Sequence, residues 1–262
     1  MSFHPFSIAN LCLLVLSAGL LLYYLFLLRR VQQKAPAAHR SEIQKPFARF
    51  LAVYASCMVV ICLLAANGFF QEITTPPRFL LVFVLLVSGV VWLVKAKTST
   101  MRFLQAIPPA LLITIQAYRL LIELVFIQYA SEKIIPVEMS IHGRNYDLWI
   151  GVLALPAGFL VAQNRTLARK VGIIFNALGL LSLVNIFSIV VPSLPSSFRL
   201  YEPLYLAAYF PGILIVFLAS SAVFLHILSL RQLWVRNTGR AARHFPERTT
   251  FLTSSSTPNA IR

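Results

Sequence analysis

Charge is scarce in this 262-residue chain, and acidic charge scarcest: charged residues make up 12%, with eight Asp and Glu against 23 Lys and Arg. Soluble domains carry about 25% charged residues, so the shortage argues against an ordinary soluble surface. Cysteine is nearly missing. Cys12, Cys57 and Cys62 are odd in number, lie in apolar stretches and form no CxxC, which argues against a disulfide framework or cysteine metal site. No HExxH, GxSxG or GxGxxG occurs, which removes the usual zincin, hydrolase and nucleotide signatures. The first ten residues hold no Lys or Arg, so the positive start of a cleavable signal is missing and the first apolar run reads as a retained helix.

What is present is apolar sequence. Hydrophobic residues are 58% of the chain, against about 45–50% in soluble domains. They gather into seven blocks: Ile8–Leu28, Phe50–Phe70, Phe79–Val94, Phe103–Ala130, Leu148–Ala162, Val171–Val191 and Leu204–Leu230. A hydrocarbon core of about 30 Å takes about 20 helical residues, so each block reads as a crossing. The third and fifth are short and the fourth and seventh long. The fold class expected is all-α: a membrane bundle of seven transmembrane helices over residues 1–230, followed by a basic, partly disordered cytoplasmic tail over 231–262.

The net charge of +15 is an orientation signal. Eighteen of the 23 basic residues fall in or beside alternate connections and the tail. The positive-inside rule then puts the N-terminus outside and the C-terminus in the cytoplasm, as an odd number of crossings requires. The expected setting is a bacterial inner (plasma) membrane. Membrane lipids are the expected partners. No nucleic acid is expected, because the sequence has no aromatic-basic RNA signature, zinc-finger spacing or basic helix outside the apolar blocks. Seven helices with an outer N-terminus also describe rhodopsins and G-protein-coupled receptors. Here the likeness stops at topology: block seven has no lysine for a retinal Schiff base, and neither a DRY-like run nor NPxxY is present. Pro108-Pro109, Pro156 and Pro211-Gly212 fall inside blocks and are expected to kink them.

The polar residues of interest sit in and around block four. Arg119 and Glu123 are spaced i, i+4 and share a helix face with Gln116, so the expected feature is an Arg119–Glu123 pair within the bilayer. A central Arg costs roughly 2.5–3.5 kcal/mol on insertion, so these groups should face the bundle interior. His142, Arg144, Asn145 and Asp147 lie in the following loop, Asn67 ends block two on the same side, and Asn185 sits in block six. Together these nine residues are the expected ligand-binding set, lining a polar pocket in the outer half of the bundle. Arg144 and Asp147, at i, i+3, also fit a salt bridge at a helix start. A metal site built from Glu123, Glu138, His142 and Asp147 lacks a second histidine, so neither metal nor cofactor is expected. His226 reads as a core or interfacial residue.

Three functions fit these residues. The first is binding or transport of a small molecule or ion, with Arg119 holding its anionic or polar group. The second is an intramembrane enzyme acting on a lipid or isoprenoid, with Glu123 or Asp147 as acid or base and His142 as partner. The third is a structural subunit in which the ion pair only pins helices.

Overall fold

The computed structural model describes residues 7–34, 40–72, 77–95, 107–163, 167–194 and 199–244. Among these residues the chain is helical and without strands. The helices are α1 (Ile8–Lys34), α2 (Arg40–Ala66), α3 (Arg78–Lys95), α4 (Pro109–Ser131), α5 (Asp147–Gln163), α6 (Ala168–Val190) and α7 (Leu214–His244). Five of them, α1, α2, α4, α6 and α7, contain stretches long and apolar enough to cross a membrane; α3 and α5 are shorter apolar helices. At 1.5 Å per residue, the 18 residues of α3 and the 17 of α5 extend about 27 and 26 Å.

Outer faces are apolar, as lipid contact requires. Along α1, Ile8, Val15 and Leu22 recur every seven residues and are 72%, 70% and 65% exposed. The inside is organised by α7. Of its most apolar stretch 67% is buried, against 50% for α4 and 22% for α2. It packs against α1, α2, α3, α4 and α6. Tyr24, Phe50, Tyr54, Phe217 and Phe224 form an aromatic cluster where α1 and α2 meet it.

Helix ends follow local chemistry. Gly68 adopts φ +79° just past α2, where its N–H bonds Ala65 O at 3.0 Å and Phe69 N–H bonds Leu64 O at 3.0 Å. That is a Schellman stop, and only glycine takes this conformation cheaply. Pro109 begins α4 at its first turn, where it has no helical bond to lose. Pro211-Gly212 precedes α7, which starts at Leu214. Two of the three expected kinks are therefore helix starts, and Pro156 alone of the three lies inside a helix. The break within α4 comes from a 3₁₀ turn at Ile115–Ala117.

Block seven is corrected at both ends. Residues 204–213 are apolar without being α-helical, holding only the 3₁₀ turn Leu206–Ala208, whose residues are all buried. The helix then runs through the expected domain boundary at 230 as far as His244. Residues 245–262, most of the expected disordered tail, lie outside the described residues.

Candidate functional site

Arg119 sits ten residues past Pro109 in the 23-residue α4, about 15 Å along its axis and close to its midpoint. It is 1% exposed. Its partner is Asp147, the first residue of α5, and not Glu123. Nε donates to Asp147 Oδ2 at 2.9 Å, and Nη2 donates to Asp147 Oδ1. This two-point grip is the strong geometry for guanidinium and carboxylate, and the α5 N-terminus adds a favourable dipole for the carboxylate. Ser182 of α6 donates to the same Oδ1 and accepts from Arg119 Nη2 at 3.3 Å.

Glu123 is equally buried, with a different task. One carboxyl oxygen accepts the Ile141 backbone N–H, and the other accepts Asn145 Nδ2 at 2.7 Å. Asn145 Nδ2 also reaches Met139 O at 2.9 Å, while its Oδ1 accepts Asp147 N–H at 2.9 Å and opens α5. The i, i+4 spacing did bring Arg119 and Glu123 onto buried positions of one helix. The pairing fails because the loop's donors occupy both oxygens of Glu123, and a carboxylate on the next helix meets Arg119 end on.

His226 of α7 completes the far side of Arg119. Its Nε2 lies 3.1 Å from Arg119 Nη1, and its Nδ1 lies 2.9 Å from Asn176 Oδ1. A guanidinium only donates, so Nε2 presents its lone pair and the proton is on Nδ1, facing the Asn176 oxygen. Asn176 Nδ2 then donates to Gly172 O at 2.6 Å and Ser229 Oγ at 2.8 Å. Close approach of α6 makes this possible: a Cβ on Gly179 would lie 2.1 Å from His226 Cε1. The result is one hydrogen-bonded chain from Ser229 through Asn176, His226, Arg119, Asp147 and Asn145 to Glu123.

The other expected site residues divide. Gln116 is fully buried and donates to Ala222 O at 3.3 Å, while its Oε1 finds no hydrogen-bond partner among the described residues. Arg144 is exposed and donates to Tyr201 OH at 2.9 Å, and Asn185 donates to Arg144 O at 2.7 Å. These two tie the 140s loop to Tyr201 and α6 and do not reach Asp147, so the expected Arg144–Asp147 bridge does not form. Asn67, the residue just past α2, is exposed and its side chain bonds Leu63 O of that helix at 2.8 Å. His142 is exposed, and its backbone N–H lies 3.3 Å from Ser140 Oγ. Among the described residues no three His, Cys, Asp or Glu side chains gather into a metal-binding group.

A cavity of about 90 Å³ lies against Arg119 and Asp147, the charged members of its lining. Its other walls are almost wholly apolar: Phe79, Leu80 and Phe83 from α3, Leu183, Ile186 and Phe187 from α6, and Ile215, Leu218 and Ala219 from α7. The expected pocket is therefore corrected in character. It is an apolar space with charge at one wall, because Asn145 is engaged by Glu123 and Met139 O, and Arg144 by Tyr201. Ser182 and Asn176 escaped sequence reasoning; His226, expected as a core or interfacial residue, is fully buried, and what the sequence did not show is its contact with Arg119, although His226 and Ser229 share a face of α7 at i, i+3 spacing. No family model, curated protein or solved structure matches this chain.

Proposed function

We propose that the protein crosses the membrane seven times, with its N-terminus outside and C-terminus in the cytoplasm, and binds a small amphipathic molecule in the cavity beside Arg119. The supporting observation is the contact of a paired guanidinium and carboxylate with an otherwise apolar space. Polar groups within a membrane bundle are expensive, and those facing a cavity there mark ligand paths by default. Apolar walls with a few convergent polar groups are the usual composition of a ligand site.

The pair also constrains the ligand. Arg119 is neutralised by Asp147, so an anion gains little from the one and is repelled by the other. Of the five N–H donors on a guanidinium, Nε, Nη2 and one hydrogen of Nη1 are directed at Asp147, Ser182 and His226. The second Nη1 hydrogen remains for an uncharged acceptor such as a hydroxyl or carbonyl. This narrows the earlier expectation of an anionic or polar group.

The test is native mass spectrometry and extraction of the purified protein. Wild type should retain about one small amphiphile per chain, and Ala219→Leu, which fills the cavity without touching the charges, should lose it. A folded wild-type protein carrying nothing beyond bulk lipid and detergent defeats the reading.

A further inference from the structure

We propose that the ligand is a single-chain lipid with a small uncharged head, an alcohol or carbonyl, and that it enters sideways from the bilayer between α3 and α6 through a gate formed by Phe83 and Phe187. The proposal rests on the binding reading above and adds the class of ligand and its route.

Size comes first. Drug-sized ligands occupy pockets of about 300–1,000 Å³, and an engineered 150 Å³ cavity takes benzene. A space of about 90 Å³ holds only the end of a molecule. The rest must lie outside, so the cavity needs an opening that stays filled while the ligand is bound. An alkyl chain is stable there only if the opening leads to hydrocarbon.

The walls indicate where that opening is. The outer end is capped by Leu206, Ala207 and Met139, all nearly fully buried. Backbone bonds hold that cap: Leu204 N–H to Ser193 O at 3.3 Å and Tyr205 N–H to Ile134 O at 3.0 Å. Toward the inner end, Tyr118 OH bonds Leu218 O at 2.8 Å, and Gln116 bonds Ala222 O, which stitches α4 to α7. The floor is α4 and α7. On the remaining sides stand α3, which packs along α7, and α6. Phe83 and Phe187 both line the cavity, and their rings meet with centroids 4.7 Å apart. Both are half-buried, and the neighbouring Val84 and Val184 are exposed to the surrounding phase. Rotating an aromatic side chain breaks no hydrogen bond, whereas opening the outer cap breaks two backbone ones. The lateral route is therefore the easier one to open.

With the head at Arg119 and Asp147, the hydroxyl or carbonyl oxygen accepts the remaining Nη1 hydrogen, and the chain passes the two rings into the bilayer. No covalent step is involved.

The experiment uses the full-length protein in vesicles and hexadecanol carrying a diazirine beside its hydroxyl end. Photolabelling is followed in time and mapped by peptide. Wild type should be labelled on α4 and α7 peptides that line the cavity. Phe83→Ala and Phe187→Ala should raise the initial rate severalfold and leave the labelled peptides unchanged, while Leu206→Ala at the outer cap should keep the wild-type rate. Unlabelled hexadecanol should compete, and hexadecyltrimethylammonium should not. Acceleration by Leu206→Ala with none from the two phenylalanine variants overturns the lateral gate while sparing the cavity. Equal competition by the cation overturns the head-group assignment. Absence of cavity labelling in a correctly folded wild type overturns the ligand class, and the binding reading falls with it only where the purified protein also retains no small amphiphile.

Discussion

At the scale of single residues, burial gives Arg119 and Asp147 unusual weight. Removing one member of a buried pair strands the other, and costs about 3–5 kcal/mol, whereas replacing both with apolar residues of similar volume is often tolerated. Arg119→Met and Asp147→Leu should each lower thermal stability in detergent by that order, and the double variant should lose clearly less than their sum. Additive losses would show that the two side chains act independently. Glu123→Gln places an amide N–H₂ against a donor it now accepts, at a cost of about 1–3 kcal/mol. The expected result is earlier protease cleavage within residues 137–146, because Glu123 holds that loop by Ile141 and Asn145. Sequence alone identified Arg119 and Glu123 as charged groups in the wrong solvent, because a charge inside an apolar run is visible without a structure, and it placed Asn145 and Asp147 only in the polar loop that follows. It could not assign partners. Helical spacing compares residues on one helix, while the Arg119–Asp147 and Arg119–His226 contacts join different helices.

Among elements, α7 is the strut that the others hydrogen-bond. Tyr54 of α2 donates to Phe217 O or to its serine neighbours Ser220 and Ser221, and Tyr118 and Gln116 of α4 reach Leu218 O and Ala222 O. Tyr54→Phe removes this hydroxyl from a buried cluster and should lower stability by about 1 kcal/mol, read as a lower melting temperature with α2 still in place. Gly179→Ala is the sharper test of α6 against α7. The added methyl collides with a ring already fixed at both nitrogens, so a loss of about 1–3 kcal/mol is expected from overpacking, and an unchanged melting temperature would refute the close approach. Hydropathy placed α3 and α5 to within one residue at each end because Arg78, Lys95, Asp147 and Gln163 bound them, whereas α1 runs six residues past its block to Lys34. It misplaced α7 because residues 204–213 are as apolar as a helix. The N–H groups of Leu204, Tyr205, Ala208 and Ile213 find acceptors in turns and neighbouring segments instead of a helix, and apolar content does not distinguish the two cases.

For the whole molecule, the exposed leucine, isoleucine, valine and phenylalanine side chains on the outer helix faces identify the surrounding phase. The orientation proposed from the basic residues is checked by fusions. A fluorescent protein on the C-terminus should fold and emit from the cytoplasm, and a tag at the N-terminus should react with an impermeant reagent. The reverse pattern would contradict the positive-inside assignment.

On the proposed seven-crossing topology, the bond between Arg119 and Asp147 also bears on how the chain is made. During synthesis the guanidinium emerges 28 positions before its counter-charge, and α4 meets the lipid interface with an uncompensated penalty of roughly 2.5–3.5 kcal/mol. Leaving the translocation channel is easiest when α4 and α5 depart as a hairpin, the aspartate travelling with the arginine. A nascent chain truncated just before Asp147 should therefore anchor α4 less efficiently than one extended through Gln163, and Asp147→Leu in the longer chain should restore the deficit.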